Sequence, residues 1–360
     1  LEPNGQFGTR IMGGSDAASS RYIHTELNKL CLTIYPKDDF PLLQYVEDDG
    51  LKVEPYHYVP ILPMVLVNGM NGIGTGFSTN IPCFNPEDIC HNIRNILGDK
   101  EFKVMEPWFK GFKGSIVKTG DKTYMSKGRY NIINHTTIEI TELPIGIWTE
   151  NYKEILNKLV IERSGKNENK GIIIDYENQS TDTTVYFKVY LKHGYLSSAQ
   201  WSEGDIDRIE KDFKLTTTKH TSLTNIHLYN EQNTITKYDT IESIMREYCR
   251  VRLELYQKRK AYQLNELEES IKIISAKCRF ILDIIDENVI IQKKTKDNII
   301  QQLSEKEYPL INESYDYLLR LPIYTLSQEE IDKLMKDKGE LEYDYKELQE
   351  TTIKELWLLE

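Results

Sequence analysis

The spacing of apolar residues changes character twice along the 360-residue chain, and each change marks a different kind of element. Ile23, Leu27, Leu30 and Ile34 recur at intervals of four, three and four residues, which predicts one amphipathic helix closed by Pro36. Asp16, Ser19 and Ser20 are candidate caps for its start. A glycine-rich loop (Gly5, Gly8, Gly13, Gly14) leads into it. From about residue 46 to 238 the pattern is mixed. Gly114–Val117 and Thr137–Leu143 read as β-rich, Asn151–Val160 as a short helix, and Val185–Leu191, dense in β-branched and aromatic residues, as a strand. Ser164–Gly171 reads as an exposed loop.

From about Thr240 the chain turns strongly helical, with Ile241, Ile244, Tyr248, Val251 and Leu255 at three- and four-residue spacing. The pattern loses register through Tyr256–Glu266 and resumes at Leu267, Ile271, Ile274, Cys278, Ile281 and Ile285, with no Pro or Gly between. A run of that length predicts a coiled coil or a long helical hairpin. A second run, Leu341, Tyr345, Leu348, Thr352, Leu356 and Leu359, predicts a helix returning antiparallel, and Tyr315–Leu326 a small helical knob between the two. The textures divide the chain at 1–45, 46–238 and 239–360.

Composition narrows the picture. Hydrophobic residues make up 39% of the chain, enough for packed cores, and 28% charged residues imply a large solvated surface. No run reaches the roughly 18 apolar residues of a membrane helix, and no basic start leads into an apolar signal segment. The chain therefore reads as soluble and intracellular. Cys31, Cys83, Cys90, Cys249 and Cys278 are scattered without a C-x-x-C pair, so neither a disulfide framework nor a zinc site is supported. A formal charge of −11 argues mildly against nucleic-acid binding, because phosphate neutralisation needs Lys and Arg. An acidic distal region can nevertheless coexist with a basic contact face. The chain begins at Leu1 and inside a loop, and reads as a piece of a longer protein.

Chemistry concentrates in Gly5–Leu27, G-Q-F-G-T-R-I-M-G-G-S-D-A-A-S-S-R-Y-I-H-T-E-L. Glycines let the backbone approach a ligand closely, and Arg10 and Arg21 carry forks suited to phosphate. Tyr22 follows Arg21. A phenol is a weak nucleophile at neutral pH, with a pKa of ~10, and an adjacent guanidinium or a metal would favour phenolate and a charged phosphoryl transition state. An Arg-Tyr pair in a chain of 23 tyrosines is by itself more often structural than reactive.

This segment resembles the active-site segment of eukaryotic-type DNA topoisomerase II, a type IIA DNA topoisomerase, in which a G-Q-F-G-T-R loop precedes G-G-K-D-A-x-x-x-R-Y-I-[FY]-T. The resemblance implies that Tyr22 is the nucleophile and Arg21 its electrostatic partner. Ser15 departs from the family's usual Lys. Val53–Pro82, with V-E-P-Y-H-Y-V-P-I-L-P-M and N-G-I-G-T-G-F, resembles a second block, whose isoleucine wedges between base steps; Ile73 holds that position. Gly-Ile-Gly-Thr-Gly lacks the third glycine and the context of a dinucleotide fingerprint. P-W-F-K-G-F-K-G-S-I (Pro107–Ile116), I-T-E-L-P-I-G-I-W-T within Ile138–Glu154, Lys214–Tyr229, and Y-D-Y-L-L-R-L-P-I-Y-T-L within Tyr315–Leu334 resemble further blocks, in family order.

The resemblance implies an α+β fold: the end of a winged-helix domain to about residue 45, a mixed α/β tower domain over 46–238, and long coiled-coil helices with a small helical exit-gate domain over 239–360. It implies DNA contacts at Gln6, Arg10, Ile73, Lys110 and Lys113, with Lys118 also able to face flanking DNA. The implied partners are double-stranded DNA and a second copy of the chain, joined through the exit gate. Mg²⁺ and ATP are the implied cofactors of the full-length enzyme. No D-x-D, no E-G-D-S-A-like run and no phosphate-cradling loop occurs here, so their sites are expected outside this chain and the fragment alone is expected not to cleave DNA. The implied location is the nucleus or, for a viral member, the host cytoplasm. Two other readings stay open: an A-type subunit of bacterial gyrase or topoisomerase IV, and a non-enzymatic DNA-bending scaffold that dimerises through its coiled coil.

Overall fold

The structure is a computed structural model that describes residues 2, 4–160, 171–199, 202, 203, 205–325 and 327–360. Most of the loop read at Ser164–Gly171 lies outside the described residues. The fold is mixed α+β, with small antiparallel sheets and several helices. In chain order the strands are β1 Tyr45–Asp48, β2 Leu51–Pro55, β3 Met70–Gly74, β4 Phe77–Ile81, β5 Ser115–Lys118, β6 Tyr124–Lys127, β7 Arg129–Asn134, β8 Thr137–Glu142, β9 Ile173–Asn178, β10 Phe187–Leu191, β11 Ser202–Glu203, β12 Ile206–Asp207, β13 Thr216–Thr217, β14 His227–Tyr229 and β15 Ile235–Lys237. The helices are α1 Cys31–Ile34, α2 Met64–Asn68, α3 Pro86–Leu97, α4 Thr149–Leu159, α5 Tyr195–Ser198, α6 Arg208–Asp212, α7 Ile241–Ile285, α8 Lys296–Glu305, α9 Asp316–Leu319, α10 Gln328–Glu350 and α11 Ile353–Leu359.

The chain forms two compact units. The first comprises Leu1–Pro36 and Pro60–Val251, the second Lys37–Val59 and Arg252–Glu360. The first unit is built on an antiparallel sheet ordered β7-β8-β10-β9. Alternation along β8 turns Ile138, Ile140 and Glu142 inward, and Phe187 and Val189 of β10 stand opposite Ile140 and Ile138. Tyr152 and Leu156, one turn apart on α4, complete this core with Ile209 and Phe213. The Tyr152 hydroxyl donates to the Phe213 carbonyl at 2.9 Å, so the phenol enters the core with its polar atom satisfied. Helix α3 follows local rules: Asn85 caps it, Pro86 opens it, and Ile89, Ile93 and Leu97 bury one stripe.

The 45-residue α7 runs without a break, and its part from Arg252 onward belongs to the second unit. The loss of apolar register at Tyr256–Glu266 is not an end of the helix. Within that stretch Arg259 is buried against carboxylates, as is Arg252 one turn before Tyr256. Helix α10 returns antiparallel, as expected, with Lys260 Nζ donating to the carbonyls of Gln349 at 2.9 Å and Thr351 at 2.7 Å. The run read over Leu341–Leu359 is interrupted, however. Thr352 caps a new helix, α11, in a capping box with Glu355, and this local alternative outcompetes continuation of α10. Tyr315–Leu326, read as a small helical knob, contains α9 and a 3₁₀ turn at Ile323–Thr325, and Tyr315 and Leu318 pack in a cluster with Phe280, Leu303 and Tyr308.

One expectation fails in the first unit. Ile23–Ile34 is not a single helix: Ser20–Tyr22 form a 3₁₀ turn, Ile23 is extended (φ −101°, ψ 124°), and only Cys31–Ile34 are α-helical. Long-range hydrogen bonds explain it. Glu2 N–H donates to the Glu26 carbonyl at 2.9 Å, and the Thr25 hydroxyl donates to the Glu2 carbonyl at 2.5 Å, so this segment pairs with distant chain rather than with itself. Ser19 precedes the turn without a side-chain cap bond, and Asp16 serves a different purpose described below.

Candidate functional site

The loop before Tyr22 is shaped by close backbone approaches. Gly8 (φ +91°) lies so close to Gly14 that a Cβ would stand 2.6 Å from its Cα. Gly13 (φ +63°) lies against the Trp148 indole, where a Cβ would meet Nε1 at 2.2 Å. Only glycine fits these places. Asp16 closes the loop from within by accepting from the Thr9 N–H at 2.9 Å and the Thr9 hydroxyl at 2.7 Å. These bonds, the backbone one first, hold its carboxyl below the ordinary aspartate range. The loop is also tied outward: Arg10 N–H donates to the Asp182 carbonyl at 2.9 Å, and Glu150 N–H to the Ile11 carbonyl at 3.1 Å.

From this base the chain reaches Tyr22. Ala18 N–H donates to the Gln6 carbonyl at 3.0 Å and Tyr22 N–H to the Ser19 carbonyl at 2.9 Å, which forms the turn carrying the tyrosine. Tyr22 is 70% exposed. The Arg21 guanidinium lies 5.3 Å from its ring centroid, a cation held beside the phenol.

Arg10 behaves differently from Arg21. Both of its terminal nitrogens face Glu142, forming an ion pair in which the Glu142 side chain is 1% exposed and the Arg10 side chain 27%. Glu142 also accepts from Lys113 N–H at 3.1 Å and Leu143 N–H at 2.9 Å. A groove of ≈ 760 Å³ passes beside this pair, and its lining includes Arg10, Phe109, Lys110, Phe112, Trp148 and His220. Burial first, and Lys219 second, lower the His220 pKa, favouring the neutral ring at physiological pH. Lys110 and Lys113 are exposed.

Ile73 stands on another device. β3 and β4 form a two-stranded ribbon with Ile73 opposite Ser78 and Gly74 opposite Phe77, closed at Gly76 (φ +81°). The ribbon is braced by β14, where Asn80 N–H donates to the Asn225 carbonyl at 2.8 Å and His227 N–H to the Thr79 hydroxyl at 3.2 Å. At its end Ile73 is 91% exposed. Met70, on the same strand, lines the groove, whereas Ile73 and Tyr22 do not.

A family model for the A-type chain of DNA gyrase/topoisomerase IV matches residues 1–360. The chain belongs to this family. Its relatives are similar over almost the whole of it. DNA topoisomerase 2 of Penicillium chrysogenum is 36% identical over 99% of the chain, and that of Acanthamoeba polyphaga mimivirus is 36% identical over 99%. The chain spans 24% of the first and 33% of the second, so it corresponds to a part of these longer proteins. Among solved structures, the DNA-binding, cleavage and re-ligation domain of Plasmodium falciparum topoisomerase II superposes with a TM-score of 0.84 at 35% identity, over 99% of this chain and 50% of that one.

Within this family chain the structure joins Tyr22 to Arg21 and Arg10 to the lysine-bearing groove, and sets Ile73 on its own ribbon. Sequence reasoning quoted Glu142 and Trp148 as parts of motifs without giving them work. For Glu142 a signal existed: strand alternation through Ile138 and Ile140 places a carboxylate inward, and a buried carboxylate requires a donor.

Proposed function

We propose that the chain is the DNA breakage–reunion segment of an ATP-dependent type II DNA topoisomerase, with Tyr22 as nucleophile. What supports this most is the exposed Tyr22 on a braced turn beside Arg21, in a chain matched to the family from end to end. In the proposed step the Tyr22 oxygen attacks a backbone phosphorus. A phosphorus–tyrosine bond forms, the bond to the 3′ oxygen breaks, and the phenol proton ends on the 3′ hydroxyl. Resealing is the reverse, and it needs no further energy because the ester bond is exchanged rather than hydrolysed. Arg21 stabilises charge on the phosphoryl oxygens. Ile73 is proposed to wedge between base steps, with Gln6, Lys110 and Lys113 on the DNA backbone.

Among the described residues no group of three or more His, Cys, Asp or Glu is arranged to hold a metal ion. We place Mg²⁺ and ATP on parts of the full-length enzyme outside this chain. The finer architecture belongs to the same proposal: the end of a winged-helix domain over 1–45, a tower over 46–238, and a coiled coil with exit gate over 239–360. A second copy of the chain would cut the opposite strand across a two-fold axis, held at the exit gate. Among the described residues no helix is long and apolar enough to cross a membrane. We place the protein inside the cell, with the DNA it cuts.

The test is Tyr22→Phe in the full-length protein. The expected result is loss of covalent protein–DNA adducts with DNA binding retained, whereas unchanged adduct formation would sink the assignment. For the wedge, Ile73→Ala should reduce DNA bending more than affinity; equal bending in the two proteins removes that role.

A further inference from the structure

We infer that Arg10 and Glu142 form one positioning unit for the Tyr22 loop, and that Arg10, despite its place on the groove, does not contact DNA phosphate. The inference rests on the proposed cleavage reaction. Glu142 is turned into the core by the alternation of β8, and both its oxygens are in use. One accepts from Arg10 Nη2 and Leu143 N–H, the other from Arg10 Nη1 at 3.5 Å and Lys113 N–H at 3.1 Å. A single carboxylate thus ties together the loop before Tyr22, the turn bearing Lys110 and Lys113, and the end of β8. For Arg10 to reach a phosphate it would have to leave a buried, charged carboxylate without its cation, which is the most unfavourable way to break such a pair. Lys110, exposed on the same groove, has no such commitment to Glu142.

Arg10 is also anchored at its backbone through Asp182, and the next residue through Glu150, so main chain and side chain of the loop are fixed to the same framework. The reach of this unit to Tyr22 is through the backbone, by way of the Asp16 lock and the Gln6–Ala18 bond. Losing the pair should therefore misplace the nucleophile without removing a DNA contact. That predicts a particular division of effects between binding and chemistry.

The experiment uses the full-length enzyme and a linear DNA duplex, with Arg10→Gln, Glu142→Gln, the double variant, and Lys110→Gln as comparator. The salt dependence of DNA affinity reports phosphate contacts, with a slope change of ~0.9 for each one lost. We expect Lys110→Gln to lose about that much, by the same rule, and Arg10→Gln to keep the wild-type slope. Adduct formation at saturating DNA should fall by about tenfold or more in either pair variant, in keeping with the sensitivity of reaction rates to small misplacements. The double variant should be no slower than the slower single one, because the two residues act together. Arg10→Lys, which keeps the charge but not the fork, should recover part of the rate if folding is intact; circular dichroism checks that all variants are folded. A slope reduced by about one unit in Arg10→Gln would make Arg10 a phosphate contact and overturn the inference, as would additive losses in the double variant. Tyr22→Phe separates the two claims: if it still forms adducts, the cleavage assignment fails, whereas wild-type rates in the pair variants alone overturn only the positioning unit.

Discussion

The two units each bury an ion cluster, and they do so in opposite ways. In the first, Glu142 meets one arginine and two backbone N–H groups, so each oxygen has donors. In the second, Arg252 is fully buried and donates to Asp39 at 2.5 Å, the Val59 carbonyl at 2.9 Å and Glu360 at 3.4 Å. Arg259 beside it donates to Glu360 at 2.7 Å and Asp38 at 2.9 Å, and both guanidinium groups flank the Tyr256 ring at 4.1 and 5.5 Å. Yet Asp39 Oδ1, Arg252 Nε and Arg259 Nε are buried without a hydrogen-bond partner. The difference lies in the source of the donors. The chain just past β8 and the Lys113 turn supply fixed backbone N–H groups, whereas the second cluster is assembled mainly from side chains. Such a cluster fixes which segments meet more than it adds net stability.

That comparison can be broken most forcefully at Arg252. Arg252→Met leaves Asp39 buried opposite an apolar side chain and should destabilise the second unit by about 3–5 kcal/mol, read as a lower urea midpoint. Adding Asp39→Leu should recover part of the loss, because it removes the second buried charge, while the Val59 carbonyl and Glu360 still lose a donor. The same paired replacement in the first unit, Arg10→Met with Glu142→Leu, should not recover. It strands the Lys113 and Leu143 N–H groups, each at a cost of ~1–3 kcal/mol. Equal recovery in both pairs would erase the distinction between the clusters.

A smaller effect tests how tightly the first cluster's loop is held. Gly13→Ala places a side chain at positive φ and against Trp148, and strain of ~1–3 kcal/mol should lower the thermal midpoint. Adding Trp148→Ala should relieve the contact but not the dihedral, so recovery should be partial; full recovery would show that φ is unimportant.

The smallest effect is electrostatic. Asp16 has a folded pKa below its unfolded value, so its contribution is present above the unfolded value of ~3.9 and is lost as pH falls through the folded one. The protection of the Thr9 N–H, measured as exchange relative to its intrinsic rate at each pH, should therefore fall on acidification in the wild type. In Asp16→Ala it should be low throughout; pH-independent protection in the wild type would exclude Asp16 as the lock.

Much of the fold was legible where local pattern and final burial agree. The inward alternation of Thr137–Leu143, the apolar run ending at Leu191 and the long α7 follow from spacing alone. Failures arose where a distant partner decided the outcome. Ile23, Leu27, Leu30 and Ile34 keep helical spacing, but bonds from Glu2 and Thr25 draw the chain into an extended path. In Tyr256–Glu266 the apolar stripe gives way where Arg259 is buried through ion pairs. In the site, Arg21 and Tyr22 are neighbours and could be paired on sight. Arg10 and Glu142 are 132 residues apart, and no spacing rule joins them. Ile73 is exposed among glycines that belong to a paired ribbon.

One aromatic detail makes the two clusters separately visible to light. Trp357 is the single tryptophan in the second unit's sequence, and its ring lies 5.8 Å from that of Tyr256, which the buried arginines flank. Trp148 rests on Gly13 at the edge of the first unit's groove, partly reached by water. With Trp108 and Trp201 replaced by phenylalanine, the chain would carry one indole at each cluster. The sheltered Trp357 should emit at shorter wavelength than the wetted Trp148, so a denaturation followed by emission colour would resolve whether the two regions come apart together or in turn.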